Sequence, residues 1–196
     1  MPDFNFDPEK HIYTLDGSQI ESVTTVLREV GLADFWGDES HMLRGTLVHR
    51  ACQLRLIGQL DESTVDPIVM PYLASFDCFL AAHNLEIDPW VSEVPTFHPI
   101  LRYGMTPDFV GVFNGRRCLI DWQSGLLGTS KRYQTVAYSC NPNLGPIDDR
   151  FGLQLRDDGR YNLEQYRERS DVDVWYAALT VYRAQRRTKG IKSWRQ

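Results

Sequence analysis

Hydrophobic and polar positions change period several times along the chain, and each change marks an element. Residues 11–23 alternate around Asp16-Gly17, so HIYTL and QIESV read as two strands joined by a tight turn. A short helix over TTVLREVG follows, capped by Ser22 or Thr24 and ended by Gly31. Residues 38–58 take a helical period, with an apolar stripe of Met42, Leu43, Thr46, Leu47, Val48, Ala51, Leu54 and Ile57. Gly45 is costly inside that helix, by about 1 kcal/mol against Ala, and suggests close approach of a backbone or ligand. A second helix is predicted within 61–87, starting near Asp66-Pro67, with Tyr72, Leu73, Phe76, Phe79 and Leu80 as its core face.

The pattern then shortens to period two. Residues 90–99, the arm Arg102–Phe113 and the arm Arg117–Gln123 predict a three-stranded meander. Its last turn is Asn114-Gly115, a strong hairpin dipeptide because both residues tolerate positive φ. A helix over SKRYQTVAYSC follows, with Ser130 as its cap. RFGLQL and GRYNLEQY flank Asp157-Asp158-Gly159 as another hairpin. A last helix carries an Asp cap and a stripe of Val174, Ala177, Ala178, Val181 and Tyr182. No repeat or low-complexity linker interrupts this order. The expectation is one α/β domain over 1–196, a central mixed β-sheet flanked by helices, with an N-terminal hairpin and a basic C-terminal helix and tail.

Composition narrows the class. With 42% hydrophobic and 24% charged residues, the chain reads as an ordinary soluble domain. No apolar run has the length of a membrane span and the acidic start lacks a secretory signal, so a cytoplasmic location and no membrane partner are expected. Cys52, Cys78, Cys118 and Cys140 have no CxxC spacing and read as buried free thiols. The net charge of −5 argues against a surface that coats nucleic acid non-specifically. Residues 181–196 nevertheless carry six Lys or Arg and no acid, leaving −11 on the rest. That segment suits contact with a DNA backbone, or simply a solubilising tail.

The chemistry concentrates between Tyr103 and Gly125. Asp108 and Asp121 sit in apolar surroundings, six residues from the Asn114-Gly115 turn, and a simple hairpin brings them nearly opposite each other. Paired half-buried carboxylates repel, and a hard divalent cation relieves both the repulsion and the desolvation cost. Gln123 alternates onto the same face as Asp121. Glu93, on the first meander strand, either faces this site or, as a lone strand carboxylate, faces solvent. His49 lies one helical turn after Gly45, and Gln134 and Tyr138 share one helical face.

In order, these pieces are Arg44-Gly45-Thr46-Leu47-Val48-His49, then Thr106-Pro107-Asp108-Phe109-Val110-Gly111, then Ile120-Asp121-Trp122-Gln123-Ser124-Gly125, then Gln134-Thr135-Val136-Ala137-Tyr138. The order resembles the PD-(D/E)XK nuclease superfamily, more closely its RecB-like and phage exonuclease branch. The resemblance spans residues 44 to 138. It implies a restriction-endonuclease-like fold and a metal-dependent deoxyribonuclease, exonucleolytic, in phage-type recombination or repair. It implies Mg²⁺ or Mn²⁺ held by His49, Asp108, Asp121 and the carbonyl of Trp122, with catalytic help from Gln123 or Lys131. Gln123 departs from the family's usual lysine; some restriction enzymes in the superfamily carry glutamine there, and in some members the basic residue has moved to the following helix, where Lys131 stands. A neutral amide orients water but brings no positive charge, so the alternative is a weakened or inactive relative that binds DNA or a protein.

The partner implied is DNA, double- or single-stranded, with Gln134, Tyr138, Arg44, Arg132, Arg186 and Arg187 as its expected contacts. A phage recombination protein and a second copy of the chain are further candidate partners. The expected setting is the cytoplasm of a bacterium or of a phage-infected host.

Overall fold

The computed structural model describes residues 2–33 and 39–188. The chain opens with strands β1 (Phe4–Asp7), β2 (Ile12–Leu15) and β3 (Ser18–Ile20), followed by helices α1 (Val23–Glu29) and α2 (Glu39–Leu56). Helix α3 (Met70–Ala82) leads into β4 (Leu85–Ile87), then the two-residue strands β5 (Thr96–Phe97) and β6 (Gly104–Met105). Strands β7 (Phe109–Phe113) and β8 (Arg116–Gln123) precede α4 (Ser130–Ser139). Strands β9 (Asp149–Leu155) and β10 (Tyr161–Gln165) and helix α5 (Asp171–Thr188) complete the order.

The principal sheet has five strands in the order β10-β9-β8-β7-β4 and is mixed, because β8 and β9 run parallel while the other pairs are antiparallel. Strand alternation splits its side chains between two cores. Phe109, Cys118, Ile120 and Trp122 pack with α2 and α3 residues such as Val48 and Phe76. Val110 and Leu119 pack instead with Val26, Ala137 and Trp175 from α1, α4 and α5. Asp121 is two residues from Leu119 and therefore lies on the α4 side.

Several sequence expectations hold. Asn114 and Gly115 have φ of 49° and 81°, as a tight twisted hairpin turn requires, and Phe113 pairs with Arg116 across it. Asp16 and Gly17, at 53° and 71°, turn β2 into β3. Gly159, at 75°, lies between β9 and β10.

Others are corrected. Residues 90–99 do not form a third arm of the main sheet. Strand β4 takes the edge beside β7, and β5 pairs only with β6 in a separate ribbon. The Arg102–Phe113 arm is broken at Thr106-Pro107-Asp108, where a proline cannot donate to a ladder. Helix α3 begins at Met70, not at Asp66, whose carboxylate caps a turn by accepting from the Ile68 N–H at 2.9 Å. Ser22 caps α1, its hydroxyl accepting from the Thr25 N–H, whereas Ser130 is the first residue of α4 and Thr129 its cap.

The buried stripe of α2 is Val48, Ala51 and Cys52, while Met42, Leu43 and Ile57 are exposed. That of α5 is Asp171, Trp175, Ala178, Leu179 and Tyr182, while Val181 faces solvent. A side chain added at Gly45 would meet nothing within 4 Å among the described residues, so close packing does not explain that glycine. Cys52 and Cys118 are buried as expected, but Cys78 is exposed and Cys140 half-buried.

Candidate metal centre and cleft

The register of β7 with β8 explains how two distant aspartates meet. Phe109 pairs with Ile120, and one further step places Asp108 beside Asp121. Asp108 lies just outside the ladder, and its Oδ2 accepts the Trp122 N–H at 2.8 Å, fixing the carboxylate across the hairpin. Its other oxygen, Oδ1, lies 3.2 Å from Nδ1 of His49, which α2 brings in from the side of the sheet. Asp108 and Asp121 are 6% and 1% exposed, a burial that carboxylates tolerate only with partners.

Glu93 joins them. Its backbone sits at φ 54°, a left-handed conformation that a non-glycine residue adopts at some cost, and its N–H donates to the Pro107 carbonyl at 2.7 Å. Donor atoms of His49, Glu93 and Asp108 all lie within 4.8 Å of one another. Sequence left Glu93 between solvent and site; the loop that replaces the expected strand turns it inward. Asp121 falls outside this group. Its carboxylate is engaged by the ammonium of Lys131 and, at 2.9 Å, by the amide of Gln134, which also donates to the Tyr138 hydroxyl at 2.9 Å.

Burial and mutual repulsion both work against the ionised carboxylates. Burial, then the charge of Asp108, raises the Glu93 pKa to about 8. Burial raises Asp121 to about 6 and Asp108 adds to the rise, while Lys131 pulls against it. Burial works against the His49 imidazolium, but the charge and hydrogen bond of Asp108 outweigh it and hold that pKa above its ordinary value. Burial and the nearby Asp121 charge keep Tyr138 a neutral phenol. Oxygen donors with one imidazole, crowded together, fit a hard divalent cation such as Mg²⁺ or Mn²⁺.

These residues form the floor of a cleft of about 520 Å³. Thr46, His49, Arg50 and Gln53 line it at helical spacing, so α2 turns one polar row toward the cleft while burying Val48 and Cys52 behind it. Arg50 and Gln53 were missed in the sequence, although their spacing from His49 carried the information. The N-terminal strands contribute Phe6, Pro8, His11 and Tyr13. Gly104 makes that docking close: a side chain there would stand 2.3 Å from the Tyr13 ring.

Tyr138 lines the cleft with Gln134, and the other expected site residues are placed elsewhere. Gln123 does not line the cleft; its amide donates to the Leu126 carbonyl at 2.8 Å, which draws it away from Asp121. The indole of Trp122 is buried beside Phe76, and its backbone N–H is the group that holds Asp108. Arg132 pairs with the buried Asp171, and Arg44 lies 5.4 Å over the Tyr72 ring, so neither reaches the cleft. Tyr138 is 4% exposed, and its hydroxyl accepts from the Gln134 amide that also holds Asp121. Arg186 donates to the Tyr182 hydroxyl at 2.8 Å, and Arg187 borders a groove beside Tyr176. Residues 189–196, the rest of the basic segment, lie outside the described residues.

No protein-family model matches the chain, and no curated protein sequence matches it. No helix among the described residues is long and apolar enough to cross a membrane.

Proposed function

We propose that the chain is a metal-dependent deoxyribonuclease and that its mixed sheet with helices on both faces is the restriction-endonuclease-like fold. One observation carries this reading: His49, Glu93 and Asp108 converge within 4.8 Å beside the buried Asp121–Lys131 pair on the floor of a cleft. His49, Glu93 and Asp108 would hold Mg²⁺ or Mn²⁺, with Asp121 next to them. A cation there lowers the pKa of a water and stabilises negative charge on a phosphodiester.

The protein's own groups do the rest. Trp122 N–H and His49 fix the Asp108 carboxylate. Gln134 fixes one oxygen of Asp121 and Lys131 takes the other. Lys131, held on Asp121, would supply the positive charge that a phosphate calls for in the transition state, while the Gln123 amide is neutral and donates to the Leu126 carbonyl. Arg50, exposed on the cleft wall, offers a guanidinium to a neighbouring phosphate.

Incubation with linear and circular, single- and double-stranded DNA tests this. Cleavage is expected with Mg²⁺ or Mn²⁺, lost in EDTA, and reduced at least about 100-fold by Asp108→Ala. Metal-dependent DNA binding without cleavage would replace the enzyme by a binding module. Absence of both metal and DNA binding would reject both readings.

A further inference from the structure

The cleft has an aromatic side that the metal chemistry does not use. Phe6 and His11 line it from β1 and the β1–β2 turn, with Pro8 at the tip. The Phe6 ring is held at 4.6 Å from Tyr13 and edge-on to His11 at 5.3 Å, so the surface is fixed before anything binds. Tyr13, Leu15 and Ile20 are the buried side chains of these strands, with Phe4, Phe6 and Phe97 packed against them, and the Tyr13 hydroxyl bonds the Thr106 hydroxyl at 2.8 Å. His11 is exposed and Phe6 half-buried, leaving ring surface toward the cleft.

The same cleft is lined by the acidic metal group and by Arg50. It therefore joins an aromatic surface to a phosphate-handling floor, the two halves of a single-strand binding site. A volume of about 520 Å³ has the scale of a small-molecule pocket and admits a nucleotide.

We propose that Phe6 and His11 form a nucleobase-stacking subsite that takes one unpaired nucleotide beside the scissile phosphate, so that the site acts on single-stranded DNA or frayed ends. This rests on the nuclease reading and names its substrate class. Stacking is tolerant of base identity because every base has a π-face, so little sequence preference accompanies it.

The test uses the full chain with Ca²⁺ in place of Mg²⁺, and short single-stranded oligonucleotides carrying one abasic position walked along the strand. One position is expected to weaken binding about tenfold, the order of one lost base–aromatic stack. Phe6→Leu, which keeps apolar packing and removes the π-face, is expected to erase that difference while the melting temperature stays close to that of the unaltered chain. Phe6→Tyr is expected to restore it. A matched blunt duplex is expected to bind at least about tenfold more weakly than the single strand. Equal binding of abasic and intact strands, or of blunt duplex and single strand, would overturn the subsite. Cleavage of the same oligonucleotides in Mn²⁺ reads the nuclease separately: a chain that cuts DNA without abasic sensitivity keeps the activity and loses the subsite.

Discussion

Two neighbouring residues of α4 reach opposite ways into two buried carboxylates, and the two ends are built differently. Arg132 turns to Asp171, which Arg150 also holds at 3.0 Å, so that carboxylate meets two guanidinium groups. Arg150 further donates to the Arg132 carbonyl at 2.8 Å and ties β9 to the start of α4. Lys131 turns to Asp121, where one ammonium and one amide face a floor that also holds Asp108 and Glu93. The Asp171 end carries more positive than negative charge within its own contacts; at the other end three carboxylates share Lys131 and His49. A closed ion triad positions the helix, whereas crowded carboxylates lining a cleft suit the proposed cation.

Removing each carboxylate is the largest test of that contrast. Asp171→Ala leaves two arginines without their partner and is expected to lower unfolding stability by about 3–5 kcal/mol in a denaturant titration. Asp121→Asn removes a carboxylate that burial disfavours and leaves Lys131 an amide oxygen as partner, so the metal-free chain is expected to lose less stability than in Asp171→Ala, while metal-dependent cleavage falls at least about 100-fold. Equal loss of stability at both would erase the distinction.

Lys131 and Gln123 give the next contrast. Lys131→Ala is expected to reduce cleavage about 100- to 1,000-fold, the usual loss for a transition-state charge donor. Gln123→Lys is expected to change it less than about tenfold, because that side chain is drawn to the Leu126 carbonyl. A large gain in Gln123→Lys would show that position 123, not Lys131, limits the reaction.

A smaller effect is a pH slope. Glu93, with its folded pKa raised to about 8 from 4.5, favours the folded state while protonated. Its contribution is full below pH 4.5 and is lost as pH rises through about 8. In EDTA, melting temperature is expected to fall across that window, and Glu93→Gln to flatten the fall. Burial contributes most of the shift. An unchanged slope in Glu93→Gln would remove Glu93 from the crowded carboxylates.

How far the sequence carried this site depends on the kind of information each residue needs. Asp108 and Asp121 were legible because a two-residue turn sets the register of everything that follows it, and the count from Asn114-Gly115 brings them together. Gln134 and Tyr138 were legible from helical spacing. Glu93 was not, because its direction depends on a left-handed backbone position and a Pro107 contact in a segment that alternates like a strand. The Gln123 contact was not legible, because alternation fixes a face but not where a long amide finds its acceptor. The α5 stripe was displaced because Asp171, polar by type, is buried against two arginines.

The most direct test is calorimetric titration of Mn²⁺ into the metal-free chain at pH 7. The expected result is one saturable site that releases protons on binding, because burial and the Asp108 charge favour protonated Glu93 in the metal-free chain, with the site abolished by Asp108→Asn. Binding that Asp108→Asn leaves unchanged, or no binding at millimolar metal, would contradict the metal centre.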